Sequence, residues 1–225
     1  HTQLLGNTLA EIAAEKAAII KPGVPVVSAP QVPEARNVIE KIAARQKSPL
    51  IRFGRDWETE IVGLALEGTV ARIGPSGNLS EYRIALPGQF QVDNAAVALA
   101  VLDQAGLAGL PVTQQSGRLA LANTSWPGRL EVMSQRPLIL LDSAHNQHSA
   151  DQLQQALVTL TAGRDLTLIF GCMADKDING MLRALLPVAN RVILTQAHHP
   201  RAAHALDLLA RSQSIRLEAA HLGRE

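Results

Sequence analysis

The sequence has little cysteine and few aromatic residues, and its charges nearly cancel. The single cysteine, Cys172, cannot form a disulfide within the 225-residue chain, and such usage is typical of the reducing cytoplasm. Aromatic residues make up 3% of the sequence, and the formal net charge is +1. Nucleic-acid binders usually combine a basic field with aromatic rings on which bases stack. We therefore expect a cytoplasmic protein without a nucleic-acid partner, although these counts do not exclude a nucleotide bound as a small molecule.

Long apolar runs are also missing. The sequence has no run of about 18 apolar residues and does not open with a basic segment followed by an apolar stretch, so neither a membrane span nor a signal peptide is expected. Hydrophobic residues nevertheless make up 47% of the chain, which is enough for a buried core. At this length we expect a globular monomer of two domains.

The first half of the sequence alternates helical and strand patterns. Its first helix opens with Thr8 followed three residues later by Glu11, the pattern of a capping box. Alternating helices and strands predict a parallel sheet covered by helices. The predicted elements are a helix over 8–20, a strand at 25–27, a helix over 32–46 and a strand at 50–53.

The pattern then changes twice. Residues 57–86 have alternating and β-branched side chains around the turn at 74–78, which predicts antiparallel hairpins at a sheet edge. Residues 94–102 are small and apolar on nearly every side, which predicts a helix packed closely between neighbours. Proline and glycine at 127–128 break the pattern, and we place a domain boundary there, between 1–125 and 126–225.

The second half repeats a strand and helix unit about three times, as in a doubly wound α/β fold. Three units are fewer than an open sheet usually has, so we expect this domain to be shortened. The predicted elements are buried strands at 138–141, 166–170 and 192–194, and helices over 149–160, 178–186 and 202–211.

Polar residues follow the strand at 138–141, where ligands of open α/β sheets bind. Asp142 could accept hydrogen bonds from ribose hydroxyls, while His145 and Asn146 could donate to a phosphate near the helix start. Alternatively, Asp142 and Asn146 only cap the helix and His145 is a surface residue. The spacing alone leaves both interpretations open.

A second strand end carries Lys176 between two carboxylates. Lys176 could bind an anionic substrate, but a solvated loop lysine with Asp177 capping the next helix is the simpler interpretation. The adjacent His198 and His199 have no further ligand at a metal-site spacing, so we do not predict zinc there. On residues alone, His1 and Lys16 also carry no special signal.

Six blocks of this sequence, in order, resemble the folylpolyglutamate synthase/dihydrofolate synthase family, a branch of the Mur-type amino-acid ligases. The resemblance runs over essentially the whole chain, and six co-linear blocks are far less likely by chance than any one of them. The blocks are HTQLLGNTLAEIAAEKAAIIKPGVPVV, LPGQFQVDNAAVALAVL, WPGRLEV, LLDSAHN, GCMADKD and HHPRA.

The resemblance implies the remainder of a P-loop-type central domain, which binds ATP, followed by a Rossmann-like C-terminal ligase domain, both shortened. It implies an ATP-dependent ligase that adds L-glutamate to a folate, and to dihydropteroate in a dihydrofolate synthase, through an acyl phosphate. Lys16 would be carbamylated and would join His1 at an Mg²⁺ site, since a carbamate is a hard oxygen ligand.

The resemblance also assigns roles to residues of the nucleotide site. Asn94 and Arg129 would contact ATP, with Arg129 near the phosphates, while Asp142 and His145 would hold ribose and phosphate. Lys176 would steady the acyl phosphate or the incoming amino acid.

The sequence also departs from the family. Its Gly-rich phosphate loop and a metal-binding Glu are not among these residues, so the chain alone is expected to be inactive. Ser143 and Ala18 stand where the family usually has glycine. Two alternatives stay open: a non-catalytic nucleotide-binding fragment, and a sister ligase of cell-wall synthesis.

Overall fold

The computed structural model describes residue 6 and residues 8–222, and the chain has the predicted α/β fold. It divides into two compact units. The first unit comprises residues up to 63 together with 69–85 and 90–124, and the second comprises 64–68, 86–89 and the residues from 125 onward.

The first helix, α1 (Leu9–Ala17), begins with the predicted capping box. Thr8 Oγ1 accepts a hydrogen bond from the Glu11 backbone N–H (3.2 Å), and a Glu11 carboxylate oxygen accepts one from the Thr8 N–H (3.1 Å). These two bonds satisfy backbone donors that the first turn of a helix leaves without partners.

Two short parallel strands follow, β1 (Val26–Ser28) and β2 (Leu50–Arg52), connected through α2 (Pro33–Arg45). The predicted strand, helix and strand order is confirmed. The apolar faces of α1 and α2 pack over these strands in a small cluster that includes Ala17, Ile20, Ala43, Ile39 and Leu50.

Strands β3 (Trp57–Ala65), β4 (Gly68–Pro75) and β5 (Ser80–Ile84) form a separate three-stranded sheet in that order. The antiparallel hairpin of β4 and β5 was predicted, but its place at the edge of another sheet was wrong. Among the described strands, this hairpin belongs to the sheet of β3, β4 and β5, while β1 and β2 form a separate two-stranded sheet.

Two helices complete the first unit, α3 (Gln89–Leu107) and α4 (Gln114–Asn123). The prediction that α3 is enclosed on nearly every side was wrong. One face is buried, including Val92 and Ala96, whereas Val101 is 49% and Leu107 is 78% exposed. Helix α4 was not predicted, although Thr113 and Ser116 give it a capping box.

The second unit opens with a hairpin and continues with alternating helices and strands. The predicted strand at 138–141 pairs antiparallel with β6, a strand that the sequence pattern missed, whereas β8 and β9 are parallel as predicted. The last helix extends well beyond residue 211. The elements are β6 (Glu131–Gln135), β7 (Leu138–Leu141), α5 (Gln147–Leu160), β8 (Thr167–Phe170), α6 (Ile178–Leu185), β9 (Arg191–Leu194) and α7 (Ala205–Leu222).

The strands of the second unit are not fully buried, which corrects the prediction. Their side chains alternate between the two faces, as strand geometry requires. Phe170 packs into the core, whereas Ile169 and Ile193, which are directly opposite each other in the register, are 67% and 51% exposed. Apolar runs predicted burial on both faces, but here only one face of β8 and β9 packs against helices.

The core of the second unit lies on that packed face. Helix α6 supplies Met181 and Leu182, both fully buried, and they pack with Phe170, Leu208 and Ile215 from β8 and α7. Within the described part of the chain, none of the helices has the length and apolar character that a bilayer span requires.

Candidate functional site

The carboxylate of Asp142, directly after β7, bonds to two backbone amides. One oxygen accepts from the Leu130 N–H (2.8 Å) and the other from the Ala144 N–H (2.8 Å). These bonds connect the strand end to the turn that precedes β6. A carboxylate has about four lone-pair sites, so each oxygen keeps one for a further partner.

The turn that Asp142 contacts has an unusual backbone. Gly128 (φ 71°) and Leu130 (φ 48°) both adopt the left-handed region, which a non-glycine residue rarely enters. The Leu130 side chain is fully buried, so packing and the bond to Asp142 together hold this conformation. Arg129 lies between these two residues and is half-buried.

Two further hydrogen bonds fix the same turn. The Gly128 N–H donates to a Glu131 carboxylate oxygen (2.8 Å), and the Gly128 carbonyl accepts from the Ser143 N–H (2.8 Å). The turn is therefore attached both to β6, through Glu131, and to the end of β7, through Asp142 and Ser143.

Burial dominates the electrostatics of Asp142. Desolvation raises the pKa of its carboxyl group above the ordinary value, while the bonds from Leu130 and Ala144 and the positive charge of Arg129 lower it. The charge of Arg129 therefore acts on Asp142, which places the two side chains in one electrostatic environment.

The loop after Asp142 leads directly into α5. Asn146 is the N-cap, and its side-chain oxygen accepts from the Ser149 N–H (2.9 Å). The alternative that Asn146 caps the helix is confirmed, whereas the alternative that Asp142 caps it is wrong, because Asp142 bonds to Leu130 and Ala144. His145 is exposed, and its Nδ1 lies 3.1 Å from the Ser143 carbonyl oxygen.

Lys176 lies in the loop after β8 and is half-buried. Its ammonium is 3.4 Å from the Asp175 carboxylate, while Asp177 caps α6 by accepting from the Gly180 N–H (2.9 Å). The predicted cap is confirmed. Hydrogen bonds from Ala174 N–H to the Arg201 carbonyl and from Ala203 N–H to the Cys172 carbonyl attach this loop to the one after β9.

The starts of α5 and α6 lie side by side. A Cβ atom added to Gly180 would come within 2.9 Å of the Gln147 side-chain oxygen. The atoms nearest to such a Cβ belong to the Asp177 carboxylate, so Gly180 leaves room both for the cap of α6 and for the Gln147 side chain. Because Gln147 follows Asn146 directly, the ends of β7 and β8 present His145 and Lys176 from neighbouring helix starts.

The remaining candidate residues belong to the first unit. Lys16 is exposed in the last turn of α1. Asn94 is exposed in the second turn of α3, and its amide donates to the Gln91 side-chain oxygen (3.0 Å). His1 lies outside the described residues.

Comparison with known proteins shows which enzymes this chain resembles. Residues 128–222 match the Mur ligase, glutamate ligase domain. The chain is 36% identical over 198 residues to the folylpolyglutamate synthase of Lacticaseibacillus casei, covering 86% of this chain and 46% of that protein. It is 31% identical to the dihydrofolate synthase/folylpolyglutamate synthase of Bacillus subtilis, covering 95% and 50%. The chain therefore carries a Mur ligase glutamate ligase domain and is homologous to folylpolyglutamate and dihydrofolate synthases.

The fold agrees with this assignment. The structure of Mycobacterium tuberculosis folylpolyglutamate synthase complexed with ADP matches with a TM-score of 0.83 at 30% identity, over 93% of this chain and 48% of that one. The chain thus spans about half the length of the folylpolyglutamate synthases that it matches.

The described residues do not build a metal site on their own. They contain no group of three or more His, Cys, Asp or Glu side chains that could hold a metal ion. Of the pair that the family resemblance assigns to Mg²⁺, only Lys16 is described.

Sequence reasoning missed Glu131 and Leu130, which shape the turn around Arg129. The spacing held one usable signal, because a glutamate three residues after Gly128 can reach its N–H. The left-handed conformation of Leu130 has no such signal, since its cause is burial and a bond to Asp142, 12 residues away.

Proposed function

We propose that the protein containing this chain is an ATP-dependent ligase that joins L-glutamate to a folate, to dihydropteroate, or to both. One observation carries the proposal: the Mur ligase glutamate ligase domain match begins at Gly128, within the turn that presents Arg129 beside Asp142. In this proposal, residues 126–225 are the C-terminal ligase domain and residues 1–125 belong to the ATP-binding domain.

The reaction has two steps. A carboxylate oxygen of the acceptor attacks the γ-phosphorus of ATP, so that ADP leaves and an acyl phosphate forms. The glutamate amine then attacks the acyl carbon, an amide bond forms, and phosphate leaves with the oxygen that came from the carboxylate. Both steps depend on positioning and on offsetting the charge of the transferred phosphoryl group.

The residues of the second unit suit the handling of charge. Arg129 is half-buried on a turn whose backbone is held by hydrogen bonds, and its planar guanidinium is suited to binding a phosphate. His145 is exposed at the start of α5, where backbone N–H groups favour an anion. The free lone pairs of Asp142 can accept from ribose hydroxyls.

Lys176 and Asn94 complete the proposed contacts. The Lys176 ammonium, which lies 3.4 Å from the Asp175 carboxylate, would steady the acyl phosphate or the incoming amino acid. Asn94, bonded to Gln91 on α3, contacts the nucleotide.

We also propose that Lys16 is carbamylated and joins His1 and residues outside the described part in holding Mg²⁺. Bound there, the ion would offset negative charge on the phosphates. The side chain of Lys16 is exposed, so CO₂ can reach its amine to form the carbamate.

The test uses the protein encoded by the complete reading frame, incubated with ATP, L-glutamate and either dihydropteroate or folate. Formation of a product with one added glutamate, together with ADP and phosphate, is expected. The 225-residue chain is the control, and it should be inactive because it contains no GKG(S/T) phosphate loop. Binding of ATP without any ligated product would favour the non-catalytic alternative.

A further inference from the structure

In the turn from Trp126 to Leu130, the backbone is held by hydrogen bonds on both sides of Arg129. Its backbone is bonded to carboxylates on both sides of the arginine: Glu131 accepts from the Gly128 N–H and Asp142 accepts from the Leu130 N–H, each at 2.8 Å. The intervening Arg129 N–H faces the Trp126 carbonyl at 3.3 Å. The residues before and after Arg129 are therefore both fixed by charged acceptors.

This turn is also strained. Leu130 adopts a left-handed backbone conformation. This conformation is energetically unfavourable for any residue that has a side chain, and it persists only where the surroundings enforce it. Burial of Leu130 and the Asp142 bond enforce it from one side. On the other side, the Glu131 side chain bonds to Gly128, which also adopts a left-handed conformation. Without that bond, the turn keeps its anchors at Leu130 and at the Gly128 carbonyl, which accepts from the Ser143 N–H, but the Gly128 N–H before Arg129 loses its acceptor.

We propose that Glu131 is a positioning residue, which acts on the nucleotide through Arg129 by fixing the backbone of Gly128. The proposal rests on the role of Arg129 given above. Glu131 contacts the turn through its side chain, is half-buried, and needs no contact with the ligand to do so. What matters is an oxygen acceptor at the Gly128 N–H rather than a negative charge.

The requirement for an acceptor separates two substitutions. Glu131→Ala removes the acceptor, whereas Glu131→Gln keeps a side-chain oxygen of the same reach. In the complete enzyme we expect Glu131→Ala to raise the KM for ATP by roughly fivefold to tenfold, the effect of one lost hydrogen bond. Because the contact binds substrate and transition state alike, kcat should stay close to that of the unmodified enzyme. Glu131→Gln should restore the original KM.

A double substitution tests whether the effect passes through Arg129. In an Arg129→Ala background, Glu131→Ala should raise the KM for ATP no further, because the positioned side chain is already absent. The structural control is Asn190→Ala, which removes a side-chain acceptor from the Leu166 N–H at the same distance, 2.8 Å. It should lower the midpoint of thermal unfolding without changing the KM.

Each outcome decides the proposal. A raised KM in Glu131→Ala, its restoration in Glu131→Gln and its absence in the Arg129→Ala background support it. An equal rise in that background, an unchanged KM in Glu131→Ala, or a Glu131→Gln enzyme as impaired as Glu131→Ala overturns it. If Arg129→Ala itself leaves the KM for ATP unchanged, the proposed role of Arg129 is wrong. The proposal for Glu131 then fails because of Arg129, and this result differs from a failure of Glu131 alone.

Discussion

The Asp142 carboxylate accepts a hydrogen bond from the backbone N–H of Leu130 at 2.8 Å, although the two residues are 12 positions apart. The bond joins the end of β7 to the turn that carries Arg129. Leu130 is fully buried in a left-handed conformation, and Asp142 is half-buried with a second bond to Ala144. One carboxylate thus shapes the turn, and it belongs to a residue that the family resemblance predicts to contact the ribose.

Replacing Asp142 with alanine should lower both stability and activity. It leaves the N–H groups of Leu130 and Ala144 without their acceptor, which should cost about 1–3 kcal/mol of unfolding free energy. The KM for ATP should rise as well, because the turn and a ribose contact are both affected. Urea denaturation and steady-state kinetics on the same preparation measure the two effects.

Asn146→Ala is the matched control for Asp142→Ala. It removes the N-cap of α5 and should cost about 1 kcal/mol of unfolding free energy while the KM for ATP stays the same. A KM that is equally unaffected in Asp142→Ala would show that Asp142 is structural only.

The pKa of Asp142 should depend on Arg129. Desolvation raises this pKa in the folded protein, while the charge of Arg129 lowers it. A carboxyl group with a raised folded pKa contributes stability that is complete below its unfolded pKa of about 3.9 and is lost as the pH rises through the folded value. Arg129→Ala should therefore raise the Asp142 pKa further and move this loss to higher pH.

Carboxyl ¹³C NMR titration measures that shift. The matched control is Arg136→Ala, in the turn between β6 and β7, because the charge that acts on the Asp142 pKa is that of Arg129. If the Asp142 titration curve is the same in Arg129→Ala as in the unmodified protein, the charge of Arg129 does not act on Asp142 and the prediction is contradicted.

Lys16 should carry a carbamate in the complete enzyme. We expect a carbamate carbon signal in the ¹³C NMR spectrum when the protein is equilibrated with ¹³C-bicarbonate, and its loss in Lys16→Arg. Lys21, which follows α1 on the same segment, provides the control, because Lys21→Arg should keep the signal. A spectrum without the carbamate signal under turnover conditions would contradict the modification.

Local patterns predicted much of the fold. Thr8 with Glu11 predicted the start of α1, and the alternation up to residue 53 predicted the parallel pair of β1 and β2. Strand β6 was missed because its sequence, EVMSQ, has only two apolar residues, and it pairs with β7 across a bulge. The exposure of Ile169 and Ile193 was missed because an apolar run does not reveal how many faces of a sheet are covered.

The sequence predicted candidate residues of the site but not the contacts between them. The position of Asp142 after a strand marked it as a candidate, but its contacts depend on a left-handed turn 12 residues earlier, which no local spacing encodes. The same holds for the adjacent helix starts, since Gly180 and Gln147 are neighbours in space but belong to different helices. Contacts between residues distant in sequence arise from tertiary packing, which periodicity does not describe.

The transfer of oxygen from the acceptor carboxylate to phosphate tests the central claim most directly. The complete enzyme would be given ATP, L-glutamate and an acceptor labelled with ¹⁸O in its reacting carboxylate, and the released phosphate analysed by mass spectrometry. Ligation through an acyl phosphate predicts one ¹⁸O atom in phosphate for each glutamate joined, with ADP as the nucleotide product. Unlabelled phosphate, or release of AMP and pyrophosphate, would contradict the account.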